Sequence, residues 1–131
     1  MSVAALIVAA GRGSRAGQGT PKQYRPLGGR PILTRTLQAF ISHPLIGRLI
    51  VVIHPDDQDL YRESLSGLSL DGPTIPLSHA FGGETRQDSV RLGLEALADF
   101  APDLVLVHDA ARPFASPALI GRAVEAGRSW G

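Results

Sequence analysis

Three runs in this chain, "VAALIV" (3–8), "RLIVVIH" (48–54) and "DLVLVH" (103–108), are apolar at their centres without a break. A strand with one wet face alternates apolar and polar residues. Unbroken apolar runs suit strands buried on both faces, which belong to parallel sheets covered by helices. A fourth, weaker strand is read in "TIPLSH" (74–79), at an edge or irregular because Pro76 cannot donate to a ladder.

Helical periodicity fills the gaps between these runs. "PILTRTLQAFIS" (31–42) places Ile32, Leu33, Thr36, Leu37, Phe40 and Ile41 on one face, with Pro31 near its first position. Pro55-Asp56-Asp57 opens a short helix to about Leu65, its acids in the first turn where the helix dipole favours them. Residues 66–73 read as loop. "ETRQDSVRLGLEALADF" (84–100) is a helix with Val90, Leu94 and Leu97 at i, i+4 and i+7. "SPALIGRAVEAG" (116–127) is a last helix, capped by Ser116 with Pro117 at its first position. The order βαβαβαβα predicts a doubly wound α/β fold: an open, mostly parallel sheet with helices on both faces.

At 131 residues the chain makes one domain with enough material for a core. No apolar run approaches the ~20 residues of a membrane span, and the first charge, Arg12, comes too late for a signal peptide's basic start. The absence of cysteine excludes disulfides and thiolate metal sites and fits a cytoplasmic protein. The chain ends in "RSWG" after a helix, where another strand is due, so it is expected to be truncated, one part of a longer polypeptide.

The net charge of +1 conceals an asymmetry: residues 1–55 carry seven Arg and Lys and no acid, whereas 56–131 carry six basic residues and twelve acids. Such a basic segment needs an anionic partner, or acidic neighbours supplied by folding. Its charges are not interleaved with aromatics, which argues against nucleic acid. The charge gathers in "AAGRGSRAGQGTPKQY" (Ala9–Tyr24), with four glycines, two arginines and a lysine directly after the first strand.

A glycine-rich turn leaving a strand brings backbone N–H groups against phosphate. Gly11 and Gly13 permit positive φ and close approach, and Arg15 and Lys22 supply positive charge. A dinucleotide fingerprint would need an acid about twenty residues further on, and none precedes Asp56. A Walker loop would need Gly-Lys-Ser/Thr, which does not occur. What remains is a loop suited to a nucleoside triphosphate attacked at its α-phosphate, or a surface loop with solvated arginines.

Two further clusters follow strands. In "FGGETRQDSV" (81–90), Gly82 and Gly83 precede the helix, and the glycine backbone with Asp88 and Ser89 can read the polar edge of a base. Equally, Glu84 and Asp88 can serve the helix dipole. In "HDAARPF" (108–114), Asp109 can hold Mg²⁺ directly or through water and Arg112 can clamp a phosphate. The alternative is an Asp109–Arg112 ion pair across the turn, and His108 reads as a packed strand-end residue. In a doubly wound sheet all three clusters converge at the carboxyl ends of the strands.

Together, "AAGRGSR…PKQY", "GGETRQDSV" and "VHDAARP" resemble the 2-C-methyl-D-erythritol 4-phosphate cytidylyltransferases of the non-mevalonate isoprenoid pathway and their relatives, the ribitol-phosphate cytidylyltransferases. The resemblance implies a Rossmann-like nucleotidyltransferase fold and Mg²⁺-dependent transfer of CMP from CTP to a sugar-alcohol phosphate, with release of pyrophosphate. It implies that Arg15 and Lys22 stabilise the transition state, that Ala9, Ala10, Gly11 and Gly13 line the nucleotide site, and that Gly83, Glu84 and Ser89 hold the cytosine. Asp109 and Arg112 would lie at the ribose, metal and acceptor phosphate. It further implies a homodimer in the intact form and, in some bacteria, fusion to a cyclodiphosphate synthase. The other expectation is a truncated nucleotide-binding module without turnover.

Overall fold

The computed structural model describes residues 2–11, 20–69, 75–112 and 116–130. Four parallel strands, β1 (Val3–Ala9), β4 (Arg48–Ile53), β5 (Leu77–Phe81) and β6 (Leu104–Asp109), form a sheet in the order β5-β4-β1-β6. Helices α1 (Ile32–Ile41), α2 (Gln58–Ser66), α3 (Arg86–Ala96) and α4 (Pro117–Trp130) follow these strands in turn. A small antiparallel hairpin, β2 (Pro26–Leu27) with β3 (Arg30–Pro31), precedes α1. Its turn is Gly28-Gly29, with φ of 63° and 87°, the paired positive φ that a two-residue hairpin needs. That Gly-Gly pair is a hairpin signal in the sequence, and the reading above passes over it.

β1 is the centre of the fold. It pairs with β4 on one side and β6 on the other, and all seven of its residues are buried. Its alternate residues enter two cores. Val3, Ala5, Ile7 and Ala9 join Leu33, Leu37 and Phe40 of α1, Tyr61 of α2, and Ile120 and Val124 of α4. Ala4, Leu6 and Val8 face the other side, where α3 and the turn after it lie with Leu97, Val90 and Phe100. Three helices therefore cover one face and α3 the other, and the doubly wound expectation holds. The chain steps outward from β1 to β4 to β5, then crosses back under α3 to β6. The carboxyl ends of β1 and β6 thus form the switch point where such sheets bind ligands.

Several boundaries move for physical reasons. β5 starts at Leu77; Pro76 before it has no N–H, and its carbonyl accepts from Leu49 N at 3.0 Å, while Thr74, the expected start of the strand, lies outside the described residues. β5 is an edge strand, as expected. α3 begins at Arg86, with Thr85 as its cap: Thr85 Oγ1 accepts from Asp88 N at 3.0 Å, which leaves Glu84 in the turn. Of the expected inward face, Val90 and Leu97 pack on the sheet, but Leu94 is 43% exposed. Ser89 and Gly93 also face the sheet, and a Cβ on Gly93 would stand 2.6 Å from Leu6 Cδ1 and 2.7 Å from Val52 Cγ2. Small residues set how closely α3 approaches the sheet. Ser116 caps α4 through Leu119 N at 3.1 Å, as expected.

Gly93→Ala is expected to destabilise the fold by about 1–3 kcal/mol despite alanine's better helix propensity, read from the urea midpoint at constant slope. A second prediction concerns the start of β1. Ser2 N and Oγ donate to Asp103 Oδ2 at 2.7 and 3.2 Å, which holds that carboxyl below its ordinary value. A depressed folded-state pKa contributes stability above the unfolded value, and that contribution is lost as pH falls through the folded value. The stability difference between wild type and Asp103→Asn is expected to narrow as pH drops below about 4, measured by denaturant titration across pH.

Candidate functional site

Of the residues singled out in the sequence, Ala10, Gly11, Gly83, Glu84, Ser89 and Asp109 meet at the switch point. After β1 the chain continues through Ala10 and Gly11, and these two with Val8, Gly83, Glu84, Thr85, Arg86, Ser89, Asp109 and Gln23 line a cavity of about 240 Å³. Val8, Ala10, Gly11, Gly83, Glu84, Thr85 and Asp109 come from the carboxyl end of a strand or the turn beyond it, Arg86 and Ser89 from the start of α3, and Gln23 from a separate 3₁₀ turn. Ala9 is 1% exposed and lies behind this wall, its carbonyl taken by Gln23. Lys22 is exposed on a 3₁₀ turn (Lys22–Tyr24) whose next residue, Gln23, reaches the cavity, whereas Lys22 is not among the lining residues. Arg15 and Gly13 lie in residues 12–19, outside the described residues. Gly11 does not use positive φ, contrary to expectation, but a Cβ there would meet nothing within 4 Å. Its value is therefore open space for a close approach.

The Gly82-Gly83 turn is held from two sides. Gly82 N donates to Ile53 O at 2.8 Å, and Gly83 N donates to Ser89 Oγ at 3.2 Å. Ser89 is 2% exposed, so its hydroxyl accepts from the turn and keeps its proton to donate. A Cβ on Gly82 would stand 2.5 Å from both Ala10 Cβ and Ser89 Oγ. The glycine is what lets the two walls of the cavity close on each other.

The turn after β6 is fixed from α1. Thr36 Oγ1, fully buried, donates to Ala110 O at 3.1 Å. His108 Nε2 donates to Arg112 O at 2.7 Å and packs its ring on Phe40, with centroids 5.1 Å apart. His108 is thus a packed strand-end residue. Asp109 makes no ion pair with Arg112; the contact between them is Arg112 N donating to Asp109 O at 3.1 Å. The Asp109–Arg112 salt bridge is not formed, and the carboxylate is left to the cavity.

Two open grooves adjoin this cavity. One of about 790 Å³ shares Arg86 and Asp109 with it and adds His108, Ala111, Arg112 and Leu119. The other, about 550 Å³, shares Ala10, Gly11, Gly83 and Glu84 and extends to His54 and Asp56. A groove of about 710 Å³ between the β2–β3 hairpin and α1 holds none of the motif residues. The sequence reading missed Gln23 and Arg86. Arg86 could have been found: a cation in the first turn of a helix opposes the dipole, which calls for a reason outside the helix.

Among the described residues, no three His, Asp or Glu gather as a metal cage. Asp109 and Glu84 nevertheless share the cavity wall. That donor set fits Mg²⁺ as it arrives on a nucleotide, held by one or two carboxylates plus phosphate oxygens. Substituting Gly82→Ala is expected to cost about 1–3 kcal/mol in urea unfolding, because Ala10 Cβ cannot rotate away from the new methyl.

Comparisons with known proteins place the chain in a family. The family model for 2-C-methyl-D-erythritol 4-phosphate cytidylyltransferase (IspD) matches residues 3–130. The chain is 54% identical over 123 residues to the bifunctional enzyme IspD/IspF of Rhodopseudomonas palustris (strain BisB5), covering 94% of this chain and 29% of that protein. It is 56% identical over 124 residues to the same-named enzyme of Rhodospirillum rubrum, covering 95% and 31%. The crystal structure of 4-diphosphocytidyl-2C-methyl-D-erythritol synthase from Anaerococcus prevotii superposes with a TM-score of 0.74 at 30% identity, over 97% of this chain and 51% of that one. The chain therefore spans less than a third of those two bifunctional relatives and about half of that solved structure, matching the N-terminal IspD portion. By the match over residues 3–130 and the convergence of its three motifs at one switch point, the chain belongs to the 2-C-methyl-D-erythritol 4-phosphate cytidylyltransferase family.

Proposed function

We propose that this chain is the nucleotide-binding part of an enzyme that transfers CMP from CTP to 2-C-methyl-D-erythritol 4-phosphate and releases pyrophosphate. The observation that carries this reading is the single cavity in which Ala10, Gly11, Gly83, Glu84, Ser89 and Asp109 meet. In the reaction an oxygen of the acceptor's phosphate attacks the α-phosphorus of CTP. A new P–O bond forms, the bond to the bridging oxygen breaks, and the electron pair leaves on pyrophosphate. Charge gathers on the α-phosphoryl oxygens, so the enzyme's work is positioning and electrostatic stabilisation.

Lys22 and Arg15 supply positive charge to those oxygens. Gly83, Glu84 and Ser89 hold the cytosine, with Ala9, Ala10, Gly11 and Gly13 providing backbone around the nucleotide. Asp109 would hold Mg²⁺, which when bound would offset phosphate charge. The acceptor lies in the groove shared through Arg86 and Asp109, where Arg112 takes its phosphate. The intact enzyme acts as a cytoplasmic homodimer. Neither a nucleic acid nor a membrane is a partner in this reading; no helix among the described residues is long and apolar enough to cross a membrane.

The first test is thermal stabilisation of this chain by CTP, UTP, ATP and GTP with Mg²⁺. A ligand bound by the folded state alone stabilises by about 2.7 kcal/mol at a hundredfold excess over its Kd. Selective stabilisation by CTP is expected; equal response to all four overturns the cytosine assignment. In the intact enzyme, Lys22→Ala is expected to lower kcat by about 10²–10³-fold with the fold unchanged, and near-normal turnover removes Lys22 from the mechanism. Comparing kcat/KM for methylerythritol 4-phosphate and ribitol 5-phosphate decides the acceptor.

A further inference from the structure

Gln23 stands out among the cavity residues because no part of the chemistry above uses it. It is 5% exposed, and its side-chain amide nitrogen donates to two carbonyls at once: Ala9 O at 2.8 Å and Gly11 O at 2.9 Å. An amide NH₂ has two protons, and both are spent here. The two acceptors are the backbone groups on either side of Ala10, where β1 gives way to the glycine loop. Peptide planarity then directs the Ala10 N–H away from Gln23. The same side chain sits on the 3₁₀ turn with Lys22, and that turn is closed by Tyr24 N donating to Pro21 O at 2.9 Å and Arg25 N to Lys22 O at 3.1 Å. Tyr24, 5% exposed, anchors it in the core with α1.

Gln23 therefore ties the two ends of the segment that runs from Gly11 to Lys22. The backbone that would meet the triphosphate and the lysine that would neutralise it come from opposite ends of that segment. The tie sets the spacing of those two ends directly, through one side chain. We propose that Gln23 is a positioning residue for the triphosphate: its two hydrogen bonds to Ala9 O and Gly11 O fix the distance between the glycine-loop backbone and Lys22. The inference rests on the cytidylyltransferase reading and adds a residue to it. Gln23 touches no reacting atom; it acts through Lys22 and the loop.

The test compares CTP with cytidine, which has the base and ribose but no phosphates. Affinities are measured by calorimetry with Mg²⁺ on the full chain, for wild type, Gln23→Leu and the uncharged, similarly long Gln23→Met, which has no NH₂ to donate. Ligand-free melts establish which variants are folded, and Gln23→Met carries the comparison should Gln23→Leu fail to fold. CTP affinity is expected to fall by roughly tenfold or more, the cost of losing the paired hydrogen bonds that hold the loop, while cytidine affinity changes by less than about threefold. In a Lys22→Ala background the same substitution is expected to cost little more, since its effect passes through Lys22. Unchanged CTP affinity in a folded variant overturns the proposal. So does an equal loss for CTP and cytidine, which is what a merely structural role produces. A wild-type chain that binds no CTP fails the cytidylyltransferase reading itself and takes this inference with it, whereas the other two outcomes remove Gln23 alone.

Discussion

The burial of β1 between two neighbouring strands and under helices on both faces is the constraint on which the rest depends. Its seven residues are all buried, none more than 7% exposed, so each must be small or apolar, and each must find a partner on its own side. The alternation is by size as well as by face. Ala5 and Ala9 lie against the three-helix side with Ile7, and Ala4 lies against α3 with Leu6. Burial of this strand is what makes its carboxyl end rigid, and a rigid strand end is a sound mount for a phosphate-binding loop.

From that strand the site is assembled by close approach rather than by charged contacts. Gly93 lets α3 lie against Leu6 and Val52, and Gly82 brings the next turn against Ala10. Ser89 then bonds the turn from below, and Thr36 reaches from α1 to the turn after β6. Surface ion pairs such as Arg91–Glu95, both more than half exposed, add little to this. The three strand ends are held by packing and hydrogen bonds. The carboxylates and cations around them are thus left for ligand.

Much of this was legible because it rests on local pattern. The unbroken apolar runs announced parallel strands, and the glycine, Asp109 and Ser89 motifs sat at the ends of those runs. The departures share one cause, which is that packing overrode the pattern. Leu94 has the same inward spacing as Val90 and Leu97, yet it alone is exposed, and the position beside Leu6 and Val52 belongs to Gly93, where even a Cβ would clash. Asp109 and Arg112 are close enough in sequence to pair, but the turn directs Arg112 N to Asp109 O and leaves the carboxylate to the cavity.

By itself the sequence determined the doubly wound architecture, the order of the four sheet strands and their helices, and which residue types stand at the strand ends, since periodicity, proline and glycine act over a few residues. Only the tertiary structure decided which groups meet. Gln23 reads as one polar residue in "PKQY", and nothing local says that its amide spans the carbonyls of Ala9 and Gly11, twelve to fourteen residues back. Arg86 reads as a helix residue until α3 is laid across the sheet and its first turn falls between two cavities. Contacts of that range are set by how the helices pack on β1, a property of the whole core that no short window contains.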